Sequence, residues 1–234
     1  RDLNINKNQN ISDVSWMRNL RILSVNHCNL ISDQSLKNLD NLEELYCDGV
    51  ENITDLNNMR NLKVLSICGS LSGVTDHGIQ GLNNLLELNL SDNTKITKIS
   101  HMLNLKKLSI DINLFDGDLD MNGPGIQDNE LKGLNLEELH ADGNPWVHDL
   151  NHMSNLRILH AEGICGIGQP GIQGINLIKL YARDNKKITN LNHMHRLRYL
   201  DAKGQSAIGP RGISGLHLEK LSYRGNKNFK SENG

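Results

Sequence analysis

Apolar residues recur along the chain in one frame: an aliphatic residue, two variable positions, a leucine, one variable position and a third small or aliphatic residue. Leu20-Arg-Ile-Leu23-Ser-Val25 and Leu42-Glu-Glu-Leu45-Tyr-Cys47 show it first. The frame restarts at Leu62, Leu85, Leu105, Leu136, Leu156, Leu177, Leu197 and Leu218, and a truncated copy, Leu3-Asn-Ile5, opens the chain. The intervals are 22, 20, 23, 20, 31, 20, 21, 20 and 21 residues, so eleven copies fill nearly all 234 positions. The alternation that ends each frame predicts a short strand with every second side chain turned inward. One repeat cannot bury its own apolar edge. The pattern therefore predicts stacked repeats whose stability is a sum of neighbour terms.

Two repeat types alternate. The short type reads Ile11-Ser-Asp-Val14, Ile53-Thr-Asp-Leu56, Ile96-Thr-Lys-Ile99, Val147-His-Asp-Leu150 and Ile188-Thr-Asn-Leu191, each with a methionine three residues on, Met17, Met59, Met102, Met153 and Met194. The long type reads Val74-Thr-Asp-His-Gly-Ile79-Gln-Gly-Leu82, and 167–175 and 208–216 follow it. An asparagine closes the frame at Asn8, Asn93, Asn113, Asn144, Asn185 and Asn226, with Cys28, Val50, Ser70, Ile164 and Gln205 in its place elsewhere.

LxxLxLxxN at this period resembles the leucine-rich-repeat family; the short repeats look like those of bacterial internalins and the long ones are similar to the cysteine-containing repeats of F-box proteins. The resemblance covers residues 1 to about 228. It implies an α/β solenoid, a leucine-rich-repeat horseshoe with a concave parallel sheet of about 11 short strands and convex turns, 3-10 turns or short helices. It also implies that the frame-closing asparagine satisfies backbone groups in the turn after each strand, and that its replacements interrupt that ladder. One domain is expected over 1–228, followed by a polar tail over 229–234.

Equivalent positions on strands about 4.8 Å apart form columns on the exposed face. One reads Asn4, Ser24, Tyr46, Ser66, Asn89, Ser109, His140, His160, Tyr181, Asp201 and Ser222. The next reads Asn6, Asn26, Asp48, Cys68, Ser91, Asp111, Asp142, Glu162, Arg183, Lys203 and Arg224. The second is acidic at Asp111, Asp142 and Glu162 and basic from Arg183. Tyr181 and Tyr199 lie among these charges, and tyrosine and arginine are types enriched in binding hot spots. A partner surface is expected over Asp111, His140, Asp142, His160, Glu162, Tyr181, Arg183, Tyr199, Asp201, Lys203 and Arg224.

Two metal sites can be drawn from residue types alone. His140, His160, Asp142 and Glu162 offer imidazoles and carboxylates that suit zinc. The 31-residue interval contains an acidic insertion over 111–123, in which Asp118, Asp120, Asn122 and Gly123 resemble the start of a calcium loop. Its twelfth position is Asn129, with Glu130 one residue late. A polar patch and an acidic surface loop are the expected readings of the two, with no cofactor.

Charge sharpens the picture. The net charge of −2 is a cancellation: residues 176–234 carry 12 Lys+Arg against 4 Asp+Glu, and residues 1–175 carry 13 against 23. No apolar run approaches the roughly 20 residues that span a bilayer. Cys28, Cys47, Cys68 and Cys165 form no CxxC pair, and their number suits a reducing compartment. An intracellular, cytoplasmic location is therefore expected. Arg1 in place of a methionine points to removal of a leader or of another domain. No GxSxG, HExxH, P-loop or Rossmann glycine motif occurs. The expected function is a non-catalytic scaffold that binds a protein through its concave face. Anionic-ligand or nucleic-acid binding by the basic repeats, and metal binding at His140 and His160, are the alternatives.

Overall fold

The structure, a computed structural model, describes residues 1–113 and 125–229. It falls into two compact units. Within the described residues the first comprises 1–110 with 125–134, and the second 111–113 with 135–229. The calcium-like residues Asp118, Asp120 and Asn122 and the tail beyond Phe229 lie outside the described residues.

Unit 1 holds six three-residue strands, β1 Asp2–Asn4, β2 Ile22–Ser24, β3 Glu44–Tyr46, β4 Val64–Ser66, β5 Glu87–Asn89 and β6 Lys107–Ser109. Unit 2 holds five, β7 Glu138–His140, β8 Ile158–His160, β9 Lys179–Tyr181, β10 Tyr199–Asp201 and β11 Lys220–Ser222. Within each unit the strands pair in parallel and in chain order. The register puts like on like: Leu139, Leu159, Leu180, Leu200 and Leu221 stand side by side in unit 2. All but the last of these are fully buried. Each such leucine stabilises its unit by about 1.5–3 kcal/mol.

The return path explains the alternating types. Short repeats cross back without helix. Long repeats make one four-residue turn: α1 Asp33–Leu36, a 3-10 turn Asp76–Ile79, α2 Asp128–Leu131, and 3-10 turns Gln169–Ile172 and Pro210–Ile213. Pro170 and Pro210 sit at the start of theirs, where a missing N–H costs nothing. Residues 31–36 and 126–131 thus share the frame of the three recognised long repeats, and five short repeats alternate with five long ones.

Side chains at the first position of three of these turns tie them to the next repeat. Asp33 accepts from Thr54 N and Thr54 Oγ1 at 2.7 and 2.6 Å, Asp76 does the same for Thr97 at 2.6 and 2.7 Å, and the Gln169 carbonyl accepts from Thr189 N at 3.0 Å. A second ladder runs before the first leucine of four frames in unit 1. Asn41, Asn61, Asn84 and Asn104 each donate to a backbone carbonyl of the preceding repeat, at 2.8 to 3.0 Å.

The frame-closing asparagine does what the family resemblance implied. Asn93, Asn185 and Asn226 are buried, and each donates Nδ2 to the carbonyl of the preceding repeat's third apolar residue, Ile67, Ala161 and Ala202, at 2.8 Å. One of its replacements preserves this bond. The buried Cys28 thiol donates to Ile5 O at 2.9 Å, so the ladder continues there. At the far end, Phe229 stacks on Tyr223 with ring centres 4.8 Å apart.

Candidate protein-binding face

Three columns of side chains stand on the exposed face of β7–β11. Before the inward leucine of each strand come Glu138, Ile158, Lys179, Tyr199 and Lys220. After it come His140, His160, Tyr181, Asp201 and Ser222, in register. Two residues further on come Asp142, Glu162, Arg183, Lys203 and Arg224. Every expected partner-binding residue is on or beside this grid, Asp111 included, because unit 2 takes in 111–113.

Register brings four rings into one stack. His140 lies on His160 at 4.0 Å with planes 10° apart, His160 lies on Tyr181 at 3.9 Å and 17°, and Tyr181 meets Tyr199 at 4.8 Å and 40°. Lys220 Nζ stands 5.2 Å from the centre of the Tyr199 ring, within cation–π range. The rings are half-buried and present their edges outward. Column membership placed the two histidines and Tyr181 in line; Tyr199 joins from the neighbouring column.

The carboxylates have structural work that the spacing did not reveal. Asp111 Oδ1 accepts from Asp142 N at 2.7 Å, and Asp142 Oδ1 accepts from Glu162 N at 2.7 Å. The same ladder runs in unit 1, where Asn6, Asn26 and Asp48 accept from the N–H of Asn26, Asp48 and Cys68 at 2.8 to 2.9 Å. Burial raises the Asp111 carboxyl, opposed by the N–H it accepts; the neighbouring Asp142 charge raises it further. Glu162 is also raised, by burial and then by Asp142 and Asp201, while His160 and Arg183 pull it down.

Charges on the basic side differ in availability. Asp201 is buried and its Oδ2 accepts from Lys203 Nζ at 2.6 Å, a bond that raises the Lys203 ammonium. That pair therefore contributes little net charge. Arg183, Lys179, Lys220 and Arg224 are exposed. Arg183 Nε sits 3.3 Å from Asp184 Oδ2, and exposed pairs of this kind are worth about 0–1 kcal/mol.

Metal binding at the histidines meets a geometric obstacle. Imidazole binds a metal in the plane of its ring. Two rings stacked 4.0 Å apart at 10° aim their nitrogens along nearly parallel lines. His140 Nε2 is 2.6 Å from Glu138 Oε1, and His160 Nδ1 is 3.7 Å from Asp142 Oδ2. Among the described residues, no three of His, Cys, Asp or Glu are grouped so as to hold an ion. Of the thiols, Cys28, Cys47 and Cys165 are buried; Cys68 is half-buried, and burial pushes it up to about 12. Thiolate is scarce at neutral pH, so Cys68 is a poor nucleophile.

No known family profile and no curated protein matches the chain. Among solved structures, the functional domain of InlJ from Listeria monocytogenes is 19% identical, with a TM-score of 0.52 over 89% of this chain. This chain spans 44% of that domain's length. An internalin (inlF) from the same organism is 20% identical over 96% of this chain and 81% of its own, with a TM-score of 0.45. The InlJ likeness bears on the fold alone, and it agrees with the repeats and the parallel strands: the chain is a leucine-rich-repeat solenoid.

Proposed function

We infer that the chain is a non-catalytic scaffold that binds a protein through the sheet face of β7–β11, the concave face of its repeats. The observation that carries this reading is the stack of His140, His160, Tyr181 and Tyr199. Each ring is held by its neighbours, so little side-chain freedom remains to be lost on binding. Acidic groups flank the stack on β7 and β8, and basic groups on β9 to β11. Such blocks steer association and select partners. The four free thiols suit a reducing compartment, and an intracellular location is part of the reading.

Nucleic-acid binding by the basic strands is the second reading, and the ring geometry weighs against it. Single strands bind by stacking bases on free aromatic faces. Here His160 is stacked between His140 and Tyr181, and Tyr199 leans on Tyr181 at 40°. A further difficulty is Glu138, Asp142 and Glu162, which would repel phosphates at one end.

Tyr181→Ala combined with Tyr199→Ala in the intact chain tests the reading. A protein captured by the unaltered chain should be held at least about tenfold more weakly by this variant. The exposed Gln173→Ala, on the return path of unit 2, should leave capture unchanged. Equal loss in both, or no loss in the tyrosine variant with its thermal unfolding intact, would exclude this face.

A further inference from the structure

The charges on β7–β11 are segregated. Glu138, Asp142 and Glu162 stand on or beside β7 and β8. Lys179, Arg183, Lys220 and Arg224 stand on or beside β9 and β11, and Asp201 on β10 is cancelled by Lys203. Arg157 and Glu219 hold the same flanking position just before β8 and β11, Glu219 3.8 Å from Arg198 Nε, and Asp184 is turned to the next repeat, where its Oδ1 accepts from Gln205 N at 2.7 Å. The ring stack crosses the boundary between the two blocks.

We propose that the partner of this face is an extended peptide segment with its own charges in two blocks, basic residues over β7–β8 and acidic residues over β9–β11, joined by uncharged apolar or aromatic residues along the ring edges. The proposal deepens the protein-binding reading and rests on it. Four strand spacings of about 4.8 Å separate β7 from β11, roughly 19 Å. An extended chain rises about 3.3 Å per residue, so about six residues cover the distance. A segment crossing the strands meets the carboxylates first, then the ring edges and tyrosine hydroxyls, then the ammonium and guanidinium groups. A uniformly acidic ligand would gain at β9–β11 and be repelled at Glu138, Asp142 and Glu162; a uniformly basic one would meet the reverse. Like charges brought together across an interface exclude wrong partners, so the segregation selects for charge order as well as charge content.

Fluorescence anisotropy with labelled synthetic peptides of about eight residues tests the proposal on the full chain. Two probes carry paired arginines and paired glutamates at opposite ends of an Ala-Leu-Leu-Ala centre, in either order. The comparison probes have the same composition with alternating charges, or have arginine or glutamate at all four charged places. At low ionic strength, where screening is weakest, one block peptide should bind at least about tenfold tighter than the alternating one. Glu138→Gln with Glu162→Gln should erase that advantage, and so should Arg183→Gln with Arg224→Gln. These variants spare Asp142, whose carboxylate holds a backbone N–H. Equal affinity for block and alternating peptides, preference for the all-glutamate peptide, or no binding by any probe would overturn the proposal. If no peptide binds but Tyr181→Ala with Tyr199→Ala still loses a captured protein, the charge-order inference fails and the protein-binding reading stands. If a block peptide binds and the tyrosine variant captures normally, the tyrosines are not the anchor.

Discussion

Alanine at position 185 will lower the unfolding free energy of the chain by about 4 kcal/mol. Asn185 is 1% exposed and uses both ends of its amide. Nδ2 donates to Ala161 O at 2.8 Å and to Ile167 O at 3.2 Å, while Oδ1 accepts from Lys187 N at 2.8 Å and Ile188 N at 3.0 Å. Alanine strands several of these backbone groups away from water, at about 1–3 kcal/mol for each one left unpaired. Repeats are stabilised mainly through their neighbours, so the loss spreads along unit 2. Equilibrium urea unfolding gives the number, and a loss below about 1 kcal/mol would show that water or relaxation replaces the asparagine.

The second large effect is Gly171→Ala, expected to cost about 3 kcal/mol or more. The 3-10 turn Gln169–Ile172 packs directly on the return path of the preceding short repeat. A Cβ on Gly171 would stand 1.7 Å from His148 O and 2.9 Å from its carbonyl carbon. Those atoms are backbone and have no rotamer to escape into, so the seam between the two repeats must open. The seam also carries the bond from Leu150 N to Gly171 O at 2.9 Å. Gly163 makes a useful control. It has φ +67° and nothing within 4 Å of a Cβ, so alanine there meets only backbone strain, about 1 kcal/mol. Equilibrium urea unfolding reads both, and equal losses would contradict the close-packing account.

The fold was legible because its signal is periodic. Leucines at fixed offsets name the strands, and the register follows once each repeat returns in the same direction. The columns were legible for the same reason, which is how His140, His160 and Tyr181 came to be placed in line. What escaped was the use of the column carboxylates for backbone bonds. Asp111 and Asp142 read as surface charge, yet each holds an N–H of the next repeat. Residue type cannot separate a carboxylate that faces a ligand from one that faces an amide. Two of the five long repeats were disguised because α1 and α2 replace the recurring glycine with Ser35 and Glu130. Both substitutes find partners that a glycine cannot: Ser35 Oγ donates to Ser12 O at 2.6 Å, and Glu130 Oε2 accepts from Ile99 N at 3.0 Å. Spacing likewise puts two histidines side by side without saying that their planes are parallel.

Site-specific photo-crosslinking tests the central claim, that partners dock on the sheet face of β7–β11, most directly. A benzophenone side chain replaces Tyr181 in the intact chain, and in a second sample it replaces exposed Gln173 on the return path. The account predicts that irradiation joins a captured protein to position 181 and leaves position 173 without adduct. An adduct at position 173 with none at 181 would contradict it.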